Sequence, residues 1–545
     1  MPDRKTYNKR RAALKSERDS WFNHWQEITR YIHPRRGRYL SDRKQGGSKK
    51  HSNIVNNSAT RALRTLQGGL MAGISSPSRP WFRLGSHDIE MNERKAVKNW
   101  LSETERRMRE VFSRSNFYNS LHHIYGEEGA FGTASMLILE DAEDIIRCYP
   151  MTAGEFYIAL DERGVVNTLY RELAMSVSQL AYRFGTDAMT TQTRAMLERQ
   201  QIDKMVELIH VIEPRDVYDP ESPLATQMPY RSVYYELHGA EDERFLGESG
   251  FEEFPAACPR WDVLSDDVYG TSLAMEALGD VKQLQLQEKR KAQAIDKMSD
   301  PPMTAPSSLR NRATTVLPGG VTYVDTQQGQ QGFQPAYLVN PRVNELMLDI
   351  QNTENRIEKT FYSDLFLMLA NSDRRQITAR EIDERHEEKL LMLGPVLERQ
   401  HTELLDVAID RTFAIMARHG LISEAPPELE GQELKVEYIS ILAQAQKAVG
   451  TQSIDRLATY VTGLSQFNPE ALDKVDWDQT IDEYGDNLGV PPKVVRSDDE
   501  TDALREARQQ AEQAAQAMAM AQQGAQTLQT ASDIDADALQ ALTGA

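Results

Sequence analysis

The segment GGLMAGISSPSRPWFRL, residues 68–84, has two glycines at the spacing of a phosphate-binding loop. Gly68 and Gly73 match the glycines of G-x-x-x-x-G-K-[ST], in which a lysine reaches the phosphates of a nucleotide. Ile74 occupies the lysine position, and an isoleucine side chain cannot bind phosphate. The segment therefore argues against nucleotide binding.

Gly69 and Gly73 also have the G-x-x-x-G spacing of packed membrane helices. That motif acts within an apolar span of about 20 residues. Four arginines interrupt any such span: Arg61, Arg64, Arg79 and Arg83. We predict no membrane contact here.

The apolar spacing of this region predicts an architectural joint instead. Residues 59, 63, 66 and 70 share one helical face, and Gly73 is a natural helix end. Pro77 and Pro80 then force an extended exit. The expected structure is a helix followed by a strand.

Histidine, cysteine and carboxylate residues form no recognisable catalytic motif. His122 and His123 are adjacent, and adjacent residues of a helix point in different directions. No H-E-x-x-H, C-x-x-C, G-x-S-x-G or G-x-G-x-x-G motif occurs. Acidic pairs such as Asp266-Asp267 are typical of solvated surface. We predict that the protein is not an enzyme and has no cofactor and no metal.

Composition limits the class of protein further. The chain has 545 residues, which predicts two or more domains, and 40% hydrophobic with 27% charged residues is typical of a globular protein. The formal net charge of −19 argues against a simple tight binder of the nucleic acid backbone. Cys148 and Cys258 are too few for a disulfide scaffold. The pattern contains no signal peptide and no membrane span.

The first 270 residues predict a mixed α+β domain. Five apolar residues share one face of a first helix that Pro34 ends: Leu14, Trp21, Trp25, Ile28 and Ile32. Residues 34–51 are basic, and we expect a solvated loop or a contact for nucleic acid or an acidic partner. From about residue 130 to 260 short apolar runs predict strands, with a hairpin around residues 161–164.

Two predicted helices of 28 residues, each about 42 Å long, enclose a segment rich in Pro, Gly and Gln. The first, over 271–298, begins at Ser272 and ends before a pair of prolines. The second, over 342–369, follows Asn340-Pro341, an N-cap with proline at the first helical position. This pattern predicts a stalk with a tip.

A short polar loop, ANSDRRQI at 370–377, follows the second helix. Thr378 and Glu381 form a capping box that opens another long helix. Gly394-Pro395 should kink that helix, which should end at Gly420. The loop is thus held between two helix ends.

The remaining residues, 439–545, read as mostly helical. Apolar spacing predicts helices over 439–467. Residues 501–530 are rich in Ala and Gln, so helix propensity is high but the apolar face is thin. This stretch is either a helix packed beside copies of itself or a frayed tail.

Five stretches, in order, resemble the portal or head-to-tail connector proteins of short-tailed double-stranded DNA bacteriophages. They are GLMAGISSPSRPWFRL, VYGTSLAMEALGDVKQLQ, PPMTAPSSLR, VLPGGVTYV and ITAREIDERHEEKLLMLGPVLERQHTELLDVAIDRTFAIMARHG. The resemblance covers about residues 10–470, and the last seventy residues show no family pattern. It implies an α+β, predominantly helical chain that assembles as a ring of twelve copies.

The resemblance also assigns a domain to each segment. The expected domains are a wing at 1–270, stem helices at 271–298 and 342–369, a clip at 299–341, a tunnel loop at 370–377, a long kinked helix returning to the wing at 378–438, and a helical crown with its tail at 439–545.

The implied function is a channel at one capsid vertex, through which double-stranded DNA is packaged and later ejected. The implied partners are the terminase large subunit, a tail adaptor, the major capsid and scaffolding proteins, and DNA bound without sequence specificity. Assembly would occur in the host cytoplasm, and the ring would remain at the portal vertex of the virion. No membrane is implied.

Arg374 and Arg375 match the tunnel-loop position and would contact DNA, unless they pair with acidic neighbours. The clip residues assigned to terminase docking are Ser307, Arg310, Arg312, Val321 and Tyr323. Twelve copies carry a formal charge of −228, twelve times −19. Mostly repulsive walls with a few basic contacts would let DNA slide.

Two alternatives remain open on the sequence. One is a different ring of the same tail, such as an adaptor, although adaptors are usually shorter and lack an insert between long helices. The other is a nuclease or another enzyme, which would need carboxylates or histidines that converge in one pocket.

Overall fold

The computed structural model describes residues 3–34, 53–88, 91–92, 94–238, 245–305, 307, 310, 315, 333–335, 342–372, 393–429, 431, 434–440, 442, 454, 457–465, 467–488, 496, 501–516 and 518. The chain divides into two compact units. The first contains Met1–His87 and Asn99–Leu442, and the second contains Asp88–Lys98 and Ala443–Ala545.

Helices account for much of the described chain. In chain order they are α1 Arg4–Tyr31, α2 Ser58–Ile74, α3 Lys95–Arg114, α4 Phe117–Phe131, α5 Val177–Phe184, α6 Thr191–Glu198, α7 Leu273–Ser299, α8 Val343–Thr360, α9 Ser363–Ser372, α10 Gly394–Arg399, α11 Asp406–Arg418 and α12 Trp477–Leu488. A π-helical segment, Gln400–Leu405, joins α10 to α11. Short 3₁₀ turns occur at Ala225–Gln227, Pro427–Leu429 and Pro469–Lys474.

The strands form four antiparallel groups. They are β1 Phe82–Ser86, β2 Ser135–Asp141, β3 Ile145–Met151, β4 Phe156–Leu160, β5 Val166–Ser176, β6 Met205–Pro214, β7 Tyr230–Glu236, β8 Gly247–Phe251, β9 Ala256–Ala257, β10 Met303–Thr304, β11 Gln334–Pro335 and β12 Leu434–Tyr438. The strand orders are β4-β5-β6-β7-β8, β3-β2-β9, β1-β12 and β10-β11.

The five-stranded sheet is covered on both faces. On one face, Tyr7 and Leu14 of α1 pack against a cluster that includes Tyr170 of β5 and Ile209 of β6. On the other face, α5 and α6 pack against a cluster that includes Leu208. Successive residues of a strand point to opposite faces, so β6 reads as an almost continuous apolar run.

The hairpin between β4 and β5 turns at the predicted residues. Asp161 Oδ1 accepts hydrogen bonds from the backbone N–H groups of Arg163 and Val165, at 2.9 and 2.8 Å. Gly164 has a φ of +78°, a conformation that favours glycine. The prediction of a hairpin at 161–164 is confirmed.

The joint at residues 68–84 is also confirmed. Helix α2 buries the predicted face on one side, and β1 follows the two prolines. Strand β1 pairs antiparallel with β12, from Phe82 opposite Tyr438 to Ser86 opposite Leu434. The prediction that Gly73 ends the helix is wrong by one residue, because Gly73 lies inside α2, where a Cβ would come within 2.8 Å of Leu442.

The first helix confirms its predicted face in most positions. Trp25 and Ile28 are buried, and the Trp25 ring N–H donates to the carbonyl oxygen of Phe131 at 3.0 Å. Trp21 is only partly buried. The helix also buries Arg18, which donates to backbone carbonyl oxygens and lies 4.1 Å from the ring centre of Tyr157.

The long helix expected from residue 378 is described only from Gly394. Thr378 and Glu381 lie outside the described residues, as does the basic stretch from residue 35. Pro395 occupies the first turn of α10, and α11 ends at Arg418 with Gly420 at a φ of +66°. The predicted end is confirmed, and the π-helical segment is an addition that the sequence pattern did not indicate.

The π-helical segment places Gln400 against the buried carboxyl group of Glu128 on α4. The Gln400 side-chain N–H donates to Glu128 Oε1. Glu128 Oε2 and Gln400 Oε1 are both buried, and neither has a partner among the described residues. A protonated Glu128 would satisfy both atoms, since its O–H can donate to Gln400 Oε1. Burial raises the pKa of Glu128 to about 8, with the nearby Glu403 carboxylate acting in the same direction.

The second unit contains helical residues at 457–465 and 501–516 as well as α12. Val461 is buried, whereas Leu457 and Leu464 are exposed. Arg505 and Asp478 form an ion pair at 2.6 Å. Much of the predicted helical region at 439–467 and the end of 501–530 lie outside the described residues.

We predict that Glu128→Gln makes stability less sensitive to rising pH between about 4.5 and 8. The folded chain keeps the Glu128 proton up to about pH 8, whereas the unfolded chain releases it near the ordinary pKa of 4.5. The parent therefore loses stability as pH rises through this window, by about 1.4 kcal/mol per pH unit at most. A glutamine can pair with Gln400 without ionising.

The measurement is the midpoint of urea unfolding at pH 5 and pH 8. The difference between variant and parent should grow towards pH 8, while Glu162→Gln on the exposed hairpin turn should follow the parent. Parallel pH profiles for Glu128→Gln and the parent would show that Glu128 is ionised in the fold.

Candidate functional site

Helices α7 and α8 form a pair, which we call the helix pair. Ser272 begins α7, since its Oγ accepts the N–H of Met275 at 3.1 Å and donates to the carbonyl oxygen of Ala130 at 2.8 Å. The cap therefore also ties α7 to the end of α4. The predicted helix over 271–298 is confirmed within two residues.

Polar contacts hold the two helices in register. Arg356 of α8 binds Asp280 of α7, with its Nη2 2.9 Å from Oδ1. Gln287 of α7 donates to Asp349 of α8 at 2.5 Å. Ile350 and Ile357 are buried close by. Because polar contacts are directional, they specify which turns of the two helices lie side by side.

A cluster around Asn56 anchors the helix pair to the start of α2. Gln285 Oε1 accepts the N–H groups of Val55 and Asn56 at 2.7 and 2.9 Å, and its amide donates to the Asn56 carbonyl at 2.9 Å. The Asn56 amide donates to Glu288 and Glu354, at 3.1 and 2.8 Å. One asparagine thus connects both helices of the pair.

The predicted second helix over 342–369 is not continuous, which corrects that prediction. Helix α8 ends at Thr360, and Tyr362 has a φ of +52° before α9 begins at Ser363. Phe361 and Leu365 are nonetheless both buried. The apolar spacing continues across the break because both sides bury residues, so the spacing alone could not indicate the turn.

The break directs α9 onto α2. Phe366 is buried against Gly69, where any Cβ would overlap the Cγ and Cδ1 atoms of the phenylalanine. Leu66 of α2 packs in turn on α4, where a Cβ at Gly129 would lie 2.7 Å from it. The small residues of the segment GGLMAG therefore permit close helix packing. This packing explains the glycines of the segment without a phosphate-binding loop.

The ends of the segment between α7 and α8 pair with each other. Met303 and Thr304 pair antiparallel with Pro335 and Gln334. Ser307 and Arg310 are exposed, and the Arg310 N–H donates to the Ser307 carbonyl at 3.2 Å. The other residues assigned to docking lie outside the described residues: Arg312, Val321 and Tyr323.

Arg374 and Arg375 also lie outside the described residues. The structure describes the residues on either side. The predicted loop over 370–377 begins later than expected, because helix α9 continues through residues 370–372 and ends at Ser372. The chain is described again from Leu393, which is buried at 1% exposure. The residue that follows the segment 373–392 is therefore held by packing.

The outer surface of the helix pair exposes large apolar side chains. They are Leu286, Ile295, Met298, Met347 and Leu348, which are 44–61% exposed. Single exposed apolar residues are ordinary, and five on one helix pair make it a candidate contact surface for another chain.

The described residues contain no set of three or more His, Cys, Asp or Glu side chains placed to hold a metal ion. Burial raises the pKa of both thiols, Cys148 and Cys258, to about 12, so neither is a ready nucleophile. None of the described helices is long and apolar enough to cross a membrane.

A cleft of 1180 Å³ has a mixed lining of acids and arginines. Its acids include Glu403, which binds Arg260 at 2.7 Å, and Glu253, which binds Arg411. Burial and the nearby Asp406 raise the pKa of Asp410 to about 6. The ion pairs join the β2–β9 region to the π-helical segment and α11, so their role in this chain is structural.

Comparison with known proteins agrees with the resemblance. The family model described as bacteriophage head to tail connecting protein matches residues 4–495. The chain is 45% identical over 541 residues to the probable portal protein of Bordetella phage BPP-1, covering 99% of this chain and 97% of that protein. It is 44% identical over 541 residues to the portal protein of Salmonella phage epsilon15, with coverage of 98% and 97%.

We predict opposite effects for two adjacent substitutions in α2. Gly69→Ala should destabilise the first unit by about 1–3 kcal/mol, because the new methyl group overlaps Phe366. Gly68→Ala meets no atom within 4 Å, and it should stabilise the helix by up to about 1 kcal/mol.

Urea unfolding of both variants and the parent measures the difference. Since the two changes add the same methyl group to neighbouring positions, Gly68→Ala is the matched control. Equal stability of the two variants would mean that α9 does not lie against Gly69.

Proposed function

The chain belongs to the family of bacteriophage head to tail connecting proteins, and from this premise we propose how it acts. Its function is to link head and tail and to form the channel at one capsid vertex through which viral double-stranded DNA enters and leaves. The observation that carries the proposal is the match over residues 4–495, together with a helix pair anchored at Asn56.

Twelve copies form a ring, and the helix pair packs against its neighbours. The support within one chain is the set of large apolar side chains that the helix pair exposes. Burial of apolar surface is the main favourable term in association. The polar contacts within each pair specify its register, so the apolar residues remain for contacts between copies.

We assign the domains in the order that the resemblance implies. The wing comprises 1–270, the stem helices 271–298 and 342–369, the clip 299–341, the tunnel loop the part of 370–377 that follows α9, the helix returning to the wing 378–438, and the crown with its tail 439–545. The break at Tyr362 supports this assignment, because it separates α8 from α9, the helix that precedes Arg374 and Arg375.

Arg374 and Arg375 line the bore and touch DNA phosphates. Phosphate contact needs positive charge at the right radius and carries no sequence information. The net charge of each copy is −19, so most of the ring repels DNA and only a few basic groups attract it. DNA can then slide without being gripped.

The clip is the docking site for the terminase large subunit during packaging and for the tail adaptor afterwards. Its base is closed by β10 and β11, and Ser307 and Arg310 are exposed just beyond that base. The major capsid and scaffolding proteins surround the ring at its vertex in the virion, after assembly in the host cytoplasm. Members of the family are structural proteins, and the chain has no catalytic activity of its own.

We predict that replacing both Arg374 and Arg375 with Ala leaves assembly intact but alters packaging or retention of DNA. The effect should depend on ionic strength, because salt screens contacts between charged groups. Genome length per particle, measured at several salt concentrations, is the readout. Arg163→Ala with Arg199→Ala removes two exposed arginines elsewhere and serves as the control. If the double variant packages and retains full-length DNA like this control at every salt concentration, the two arginines have no DNA role.

We predict that deletion of residues 305–325 abolishes binding of the terminase large subunit while the first unit stays folded. The deletion begins beyond β10, so the helix pair keeps its anchor at Asn56. Pull-down measures binding, and an unchanged unfolding midpoint shows that the fold survives. Arg310→Glu should weaken binding, whereas Arg163→Glu should not. Terminase binding by the folded deletion variant would place the docking surface outside the clip.

A further inference from the structure

Two arginines converge on one tyrosine hydroxyl on the α5 face of the five-stranded sheet. Arg171 lies on β5, Arg183 on α5 and Tyr234 on β7. The Nη2 atoms of both arginines donate to the Tyr234 oxygen at 3.2 Å. The two guanidinium nitrogens are therefore no further apart than twice that distance.

The neighbouring histidine adds no negative charge to compensate for them. Arg171 Nε donates to His210 Nδ1 at 2.9 Å, so Nδ1 has no proton and Nε2 donates to Ser232 Oγ at 2.9 Å. Burial, together with the two arginines, lowers the pKa of His210 well below its ordinary value. The neutral ring stacks on Tyr234 with 3.8 Å between ring centres.

Neither arginine has a carboxylate within ion-pair distance in the part of the chain that the structure describes. Arg171 is nevertheless buried, since only 8% of its surface is exposed. Burying a charge without a counter-charge costs folding free energy. Other buried arginines of this unit are compensated. Arg260 binds the carboxylate of Glu403, and Arg18 binds two backbone carbonyl oxygens.

The place is open to a ligand from solvent. Arg183 is exposed, and the Tyr149 ring, 5.8 Å from Arg171, is 44% exposed. Arg171 Nη1 donates to no group among the described residues, and it is not among the side-chain atoms that are buried without a hydrogen-bond partner. Two guanidinium groups at this separation can direct several N–H donors at one group of oxygen atoms.

We propose that Arg171 and Arg183, positioned by Tyr234, bind an oxyanion, namely a phosphate or a carboxylate group. Tyr234 holds both guanidinium groups through one oxygen, and the neutral His210 orients Arg171 without neutralising it. The anion supplies the negative charge that no described carboxylate provides within ion-pair distance. Free phosphate and the carboxylate side chain of another protein share this chemistry.

The test is isothermal titration calorimetry of the full chain with inorganic phosphate and, separately, with glutarate, at pH 7 and matched ionic strength. The parent should bind one or both anions at one site per chain. Arg183→Ala should weaken binding roughly tenfold or more, since it removes charge-assisted hydrogen bonds. Arg199→Ala, which removes an exposed arginine beyond α6, is the control and should bind like the parent.

Tyr234→Phe gives a second variant that keeps the ring and its packing but removes the hydroxyl group, and it should also weaken binding. Phosphate binding that depends on Arg183 supports a site for phosphate. Glutarate binding alone, with the same dependence, supports a site for a protein carboxylate. Absence of binding to either anion, or equal binding by Arg183→Ala and Arg199→Ala, overturns the proposal.

Discussion

The close approach of helix α2 to its neighbours is the contact on which the rest of the first unit depends. Gly69 receives Phe366 of α9, and Gly73 receives Leu442. The N-terminal end of the same helix holds both members of the helix pair through Asn56. Because three separate parts of the chain meet one helix, the position of α2 determines where the helix pair and the segment after α9 begin.

Polar and apolar side chains have different roles in the helix pair. Ion pairs and amides, such as Arg356 with Asp280, join the two helices within one chain. Several large apolar residues face outwards, among them Met347 and Leu348. An isolated pair of this kind would expose apolar surface to water, whereas a ring of copies would bury it. In the proposed ring, the same division would let a chain with a net charge of −19 associate with itself.

Sequence patterns predicted the elements whose signal is local. The hairpin at Asp161, the cap at Ser272 and the face of α2 each depend on residues within a few positions of one another. The patterns did not indicate the break at Tyr362, because buried residues continue on both sides of it.

The candidate site was less predictable for the same reason. Asn56 and Glu354 are 298 residues apart, and Arg171 and Tyr234 are 63 apart. Such contacts form only when the chain folds, so no spacing in the sequence indicates them. The family and its function could still be inferred from motifs, whereas the placement of Arg374 and Arg375 was given by resemblance alone.

Electron cryo-microscopy of the assembled full-length chain tests the account's central claim most directly. We expect a closed ring with an axial channel, in which Ser372 and Leu393 lie on the inner side and Arg310 lies at one end, beyond the helix pair. A monomer or open oligomer, or a ring in which Ser372 and Leu393 face outwards, would contradict it.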